Sequence, residues 1–168
     1  MLKIINDLEP FFEDCYRRIH VREYAKIMKI SPPTASVELN RFHKEGLLNK
    51  TSDRNYLLFY TDSKSKDFIE LSRIYWRQKF SELVEFIEKK YISSVVILFG
   101  SLSKAEAKKD SDIDIVIIGP KKDLNVDQFE KKYKRKIQIF WFSSTTGIKN
   151  EELKNNILNG YVLRGKLF

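Results

Sequence analysis

Two aspartates stand two residues apart at the head of the apolar run Asp112-Ile-Asp-Ile-Val-Ile-Ile118. Another apolar run, Val95-Val-Ile-Leu-Phe99, ends in Gly100-Ser101, and the ten residues from Leu102 to Ser111 separate the two features. In a strand, alternation puts both carboxylates on one face, about 7 Å apart at their Cα atoms, with Ile113, Ile115 and Ile117 opposite. Two anions at the mouth of so apolar a strand repel each other and resist desolvation unless a cation compensates them. Gly100 ends its strand where the backbone must turn sharply. Ser101 and the unpaired amides of the helix start that follows then make an anion site. Hard oxygen ligands beside a phosphate site imply Mg²⁺. The blander reading of Asp110-Ser-Asp-Ile-Asp114 is a solvated turn in which Asp side chains bond nearby amides. An isolated Asp-x-Asp favours that reading; the conjunction with Gly-Ser and a helix-length spacer does not.

At these residues the chain resembles the DNA polymerase beta-like nucleotidyltransferase superfamily, and within it the minimal nucleotidyltransferases. The resemblance rests on Gly100-Ser101, Lys104, Ser111 and Asp112-Ile-Asp114, and on Asn156-Ile-Leu-Asn-Gly-Tyr-Val-Leu-Arg-Gly165 as a closing helix and last strand. It implies transfer of a nucleoside monophosphate from an NTP, expected to be ATP, to a hydroxyl with Mg²⁺. Gly100, Ser101 and Ser111 would hold phosphates, Lys104 would offset their charge, and Asp112 and Asp114 would hold the metal. Two positions depart from the family pattern. Ala105 stands where the family usually has Gly, and Gln138 occupies the place of a third carboxylate on the strand Lys136-Ile-Gln-Ile-Phe-Trp-Phe142. Gln138 alternates with Ile137 and Ile139, which turns it toward the aspartates. A neutral amide neither deprotonates an acceptor nor balances a second metal well.

The first third has its own organisation. Val21, Tyr24, Ala25 and Met28 recur at helical spacing, Ser31-Pro-Pro33 interrupts them, and Ala35, Leu39 and Phe42 resume the pattern up to Gly46. A polar turn, Asn49 to Asn55, then lies between strand-like Leu47-Leu48 and Tyr56 to Tyr60. This resembles a winged helix-turn-helix, which implies DNA binding through the second helix and the hairpin. The face opposite Ala35 offers Thr34, Ser36, Val37, Asn40, Arg41 and Lys44; Asn40 and Arg41 are candidates for base edges, and Lys44, Lys50 and Arg54 for phosphates. The competing reading is a module for dimerisation or partner docking.

Between the modules, Ser65 to Tyr91 holds neither Gly nor Pro and reads as one long helix, or two joined near Trp76-Arg-Gln78, with an apolar strip able to serve as a homodimer seam. With 168 residues and 42% apolar content the chain can hold one ordinary domain or two small ones. The net charge of +8 favours a polyanionic partner. From Tyr91 onward 14 Lys and Arg face 9 Asp and Glu; from Met1 to Tyr60 the numbers are 10 and 8. Much of the former excess is the run Lys131-Lys-Tyr-Lys-Arg-Lys136, which reads as a solvated helix end. A lone Cys15, no basic-then-apolar leader and no run near the ~20 apolar residues of a membrane span lead to the expectation of a cytoplasmic protein without a membrane partner.

The expected fold is therefore α/β (α+β): a winged helix-turn-helix over 1–63, a helical linker over 64–91 and a small mixed-sheet nucleotidyltransferase fold over 92–168. Two functions remain open. One is nucleotidyl transfer to a protein or small-molecule hydroxyl, antitoxin-like in that some relatives adenylylate a helical toxin encoded by a neighbouring gene. The other is a DNA-binding regulator whose degenerate transferase domain senses nucleotide or binds a partner.

Overall fold

The computed structural model describes residues 2–54, 56–91, 94–121 and 123–167; Asn55, within the expected polar turn, lies outside them. The fold is mixed α/β with two sheets, one in each of two compact units. The first unit comprises Met1–Tyr75 and Ala105–Lys109, and the second Trp76–Lys104 and Asp110–Phe168.

In the first unit, α1 (Lys3–Asp7) and α2 (Glu9–Glu13) precede β1 (Ile19–His20), α3 (Val21–Met28) and α4 (Pro32–Lys44). A hairpin of β2 (Leu48–Asp53) and β3 (Tyr56–Thr61) follows, and the sheet order is β1-β3-β2, all antiparallel. Local chemistry sets the helix starts. His20 Nδ1 accepts from the Glu23 amide and Ser31 Oγ from the Thr34 amide, each satisfying an otherwise unpaired donor. Pro32 and Pro33 sit in the first turn of α4, where a missing N–H costs nothing. Tyr24, Ala35, Leu39, Phe42 and Phe59 are buried together with Phe11 and Phe12, so the period of each helix delivers its apolar stripe inward.

The helical stretch after the hairpin is two helices, α5 (Lys66–Lys79) and α6 (Ser81–Lys90), meeting at Phe80. The division between the units falls within α5. In the second unit, β4 (Val95–Phe99) leads into a single turn, α7 (Gly100–Ser103), and then β5 (Ile113–Ile118). Next come α8 (Asp127–Tyr133), β6 (Ile137–Phe142), α9 (Glu151–Leu158) and β7 (Tyr161–Arg164). The sheet order is β6-β5-β4-β7: β5 and β6 run parallel, and the other pairs are antiparallel. Val96, Ile97, Leu98, Ile115, Val116 and Ile117 are fully buried, as expected for central strands covered on both faces. No helix among the described residues is long and apolar enough to cross a membrane.

Candidate nucleotide and metal site

The mouth of this second sheet brings together residues far apart in sequence. Phe99 pairs with Asp114 across β4 and β5, and Asp114 pairs with Gln138 across β5 and β6. Gly100, immediately after Phe99, has φ +71°, and a Cβ there would overlap the Asp114 carboxylate. Glycine is thus required twice, for the left-handed backbone and for the approach of the carboxylate. Asp112 immediately precedes β5, and its Oδ2 accepts a hydrogen bond of 2.6 Å from Gln138 Nε2. Burial, and secondarily the Asp112 charge, push the Asp114 carboxyl above the usual carboxylate range.

The rest of the expected cluster lies in the same unit. Ser101 belongs to the four-residue turn α7. Lys104 follows that turn and donates from Nζ to Asn156 Oδ1 of α9 at 2.9 Å. Ser111 precedes Asp112, and its carbonyl accepts from the Arg135 guanidinium at 2.6 Å. Ala105 belongs to the first unit, has φ +55° and is buried. Among the described residues no group of three His, Cys, Asp or Glu side chains is placed to hold a metal. Two carboxylates are nonetheless a suitable donor set for Mg²⁺, which keeps several waters and takes further oxygens from substrate phosphates.

The upward shift at Asp114 carries a stability consequence. Because the folded pKa lies above the unfolded one, the folded chain holds the proton more tightly, and stability falls as pH rises from the ordinary carboxylate range to the raised value. Asp114→Asn should therefore unfold at a higher temperature than the parent at neutral pH. The advantage should vanish below about pH 3, where both chains are uncharged at this position. Thermal melts of the metal-free proteins at the two pH values check this, and an equal or larger difference in acid would refute the electrostatic account.

Sequence reasoning passed over two residues. The basic run 131–136 is not simply a solvated helix end: Arg135 is buried, and its guanidinium lies over the Trp76 ring, 5.4 Å from the centroid. Glu130 accepts from the Ile137 amide at 2.9 Å and from Lys136 Nζ at 3.2 Å, so it anchors the first residue of β6. Neither role leaves a one-dimensional signal beyond charge.

In the first unit, Thr34, Val37, Arg41, Lys44, Lys50 and Arg54 are exposed, while Ser36 and Asn40 are partly covered. Val37 is 70% exposed, an apolar residue at the centre of a polar face. Asn40 is engaged within the unit: Nδ2 donates to the Ser36 carbonyl at 2.8 Å, and Oδ1 accepts from Lys50 Nζ at 3.5 Å. Arg41 lies over the Phe42 ring at 4.9 Å and 3.9 Å from the Glu45 carboxylate. Arg54, with φ +43°, sits at the hairpin turn.

The chain matches no curated protein and no solved structure significantly. The family model described as the nucleotidyltransferase domain matches residues 78–151, a span that takes in Gly100, Ser101, Asp112, Asp114, Arg135 and Gln138.

Proposed function

We propose that the second unit binds an NTP with Mg²⁺ and transfers its nucleoside monophosphate to a protein or small-molecule hydroxyl. The carrying observation is the convergence of Gly100, Asp112 and Asp114 at one sheet mouth, inside the span matched by the nucleotidyltransferase domain model. Asp112 and Asp114 would hold the metal, which when bound stabilises charge on the α-phosphate and the departing pyrophosphate. Gly100 and Ser101 would hold phosphate oxygens beside those carboxylates, with Ser111 at the edge. Lys104, tethered to Asn156, supplies positive charge near the same turn. Gln138 has no proton-accepting charge; its carboxamide steadies Asp112, so the acceptor hydroxyl must lose its proton to solvent or to its own neighbours. Slow turnover follows.

The test is calorimetry with ATP and Mg²⁺ on the parent and on the doubly substituted Asp112→Ala, Asp114→Ala chain. Loss of binding in the variant is expected. Unchanged affinity would remove the metal-site reading.

The Gln138–Asp112 bond also favours a second reading, in which nucleotide is held without efficient transfer and the chain is a regulator. Helix, strand, two helices and hairpin in the first unit are the order of a winged helix-turn-helix, with α4 as the reading helix, and we assign it to DNA. Thr34 and Val37 face outward beside Arg41, Lys44, Lys50 and Arg54, Ser36 is partly covered, and Asn40 would need to release the Ser36 carbonyl to meet a base. Under either reading a helical toxin from a neighbouring gene is the candidate protein acceptor or partner; the apolar strip of α5–α6 expected as a homodimer seam is instead buried at Phe68, Tyr75, Trp76, Phe80, Leu83 and Ile87. Binding to the protein's own upstream DNA should weaken steeply with salt, by about 0.9 in log K per log salt for each phosphate contact. Arg41→Ala with Lys44→Ala should lower affinity and flatten that slope by about one contact, that of Lys44. No retention at low salt and micromolar protein would favour docking of a protein partner instead.

A further inference from the structure

The segment entering β6 grips the residues around Asp112 at three points. Arg135 Nη1 donates to the Ser111 carbonyl at 2.6 Å, the Lys136 carbonyl accepts from the Ile113 amide at 2.8 Å, and Gln138 Nε2 donates to Asp112 Oδ2 at 2.6 Å. The backbone contact is what neighbouring parallel strands of any sequence can make, and the Gln138–Asp112 bond joins two side chains of the site itself. The first is different in kind. A guanidinium is strongly solvated and rarely buried without compensation, yet Arg135 is 7% exposed and lies over Trp76, whose ring also stacks on Phe80 at 5.3 Å. Its neighbours in the run, Lys132, Lys134 and Lys136, are exposed. Lys134, at φ +54°, ends α8 in the left-handed conformation and redirects the chain immediately before Arg135.

We propose that Arg135 is a positioning residue for the metal and nucleotide site, fixing the Ser111–Asp112 peptide so that the Asp112 carboxylate stands beside Asp114. The inference rests on the nucleotide-binding reading above. A charge-assisted bond to a carbonyl is shorter and stronger than a neutral one, and it acts one peptide away from the carboxylate. The planar guanidinium can lie flat on an indole while donating at its edge, which an ammonium cannot reproduce. Arg135 thereby stands to Asp112 as a supporting hydrogen-bond partner stands to a metal ligand.

Calorimetry with ATP in Mg²⁺ and, separately, in EDTA tests this on the full chain. Arg135→Met keeps bulk on Trp76 and removes the donor; Arg135→Lys keeps charge and removes the fork. Ile157→Val, which trims a fully buried side chain in the same unit, serves as the packing control. Affinity in Mg²⁺ should fall about tenfold or more in Arg135→Met and by an intermediate amount in Arg135→Lys, while affinity in EDTA stays at the parental value. Ile157→Val should keep the parental Mg²⁺ dependence. If Arg135→Met fails to fold, the loss in Arg135→Lys alone carries the result. Parental Mg²⁺ dependence in the Arg135 variants that fold, or a loss matched by Ile157→Val, overturns the positioning role and leaves the site reading intact. A parent without any Mg²⁺-dependent affinity overturns the site reading and the role with it.

Discussion

Gln138→Asp is expected to raise nucleotidyl transfer by about 10²- to 10⁴-fold, the usual worth of a positioned general base. In the parent, Gln138 presents an N–H to Asp112 at 2.6 Å, the positive end of a dipole facing a carboxylate. Aspartate would reverse that charge and place a third anion opposite Asp114, since the two residues are paired in register. The opposing effect is repulsion: three carboxylates without a cation destabilise the metal-free chain, and Mg²⁺ should restore what the substitution costs. Radiolabelled ATP incubated with Mg²⁺ reports the rate through formation of AMP, water serving as acceptor when no hydroxyl partner is supplied. A variant no faster than the parent would show that the missing carboxylate is not what limits turnover. Rapid transfer by the parent itself would show that another group already supplies the charge.

Gly100→Ala should disable binding while leaving most of the fold standing. The left-handed φ of +71° costs a residue with a Cβ about 1–2 kcal/mol. The larger effect is local, because the new methyl would occupy the space of the Asp114 carboxylate oxygen, and that side chain must swing away. Affinity for ATP in Mg²⁺ should drop at least about tenfold, as for displacement of a ligand's supporting partner. Calorimetry alongside a thermal melt separates the two effects. Parental affinity in a melted-down variant, or full stability with full affinity, would mean that the turn has more room than its backbone indicates.

How far the sequence carries depends on which physical regularity each residue obeys. Period-two alternation is strict in a strand, so the spacing of Asp112, Ile113 and Asp114, and of Ile137, Gln138 and Ile139, fixes which face each side chain takes. The observed register, Asp114 opposite Gln138, follows that alternation. The breaks at Ser31-Pro-Pro33 and Gly46 likewise coincide with the ends of α4, because capping and ring constraints act within a few residues. Arg135 obeyed no such rule. Its neighbours carry the same charge, and only the three-dimensional position of Trp76, 59 residues earlier, separates it from cations left in water. The intra-unit bond of Asn40 was hidden for a similar reason: helical spacing puts it on the outer face, but spacing does not say that its amide bends back to the Ser36 carbonyl. The division of units inside α5 was also invisible, since no Gly or Pro marks it, whereas the two-helix alternative put the joint near Trp76-Arg-Gln78, close to the observed meeting point at Phe80.

The order β6-β5-β4-β7 has a consequence during synthesis. β4 leaves the ribosome well before either partner, pairs first with β5, and keeps its other edge open until Tyr161–Arg164 emerges. That edge belongs to Val95-Val-Ile-Leu-Phe99, an uncharged β-branched run of the sort that recruits other chains when left unpaired. Translation that stalls after α9 would therefore release a nascent chain with an adhesive strand, and the pace of the ribosome over the residues between β5 and β7 sets how long that hazard lasts.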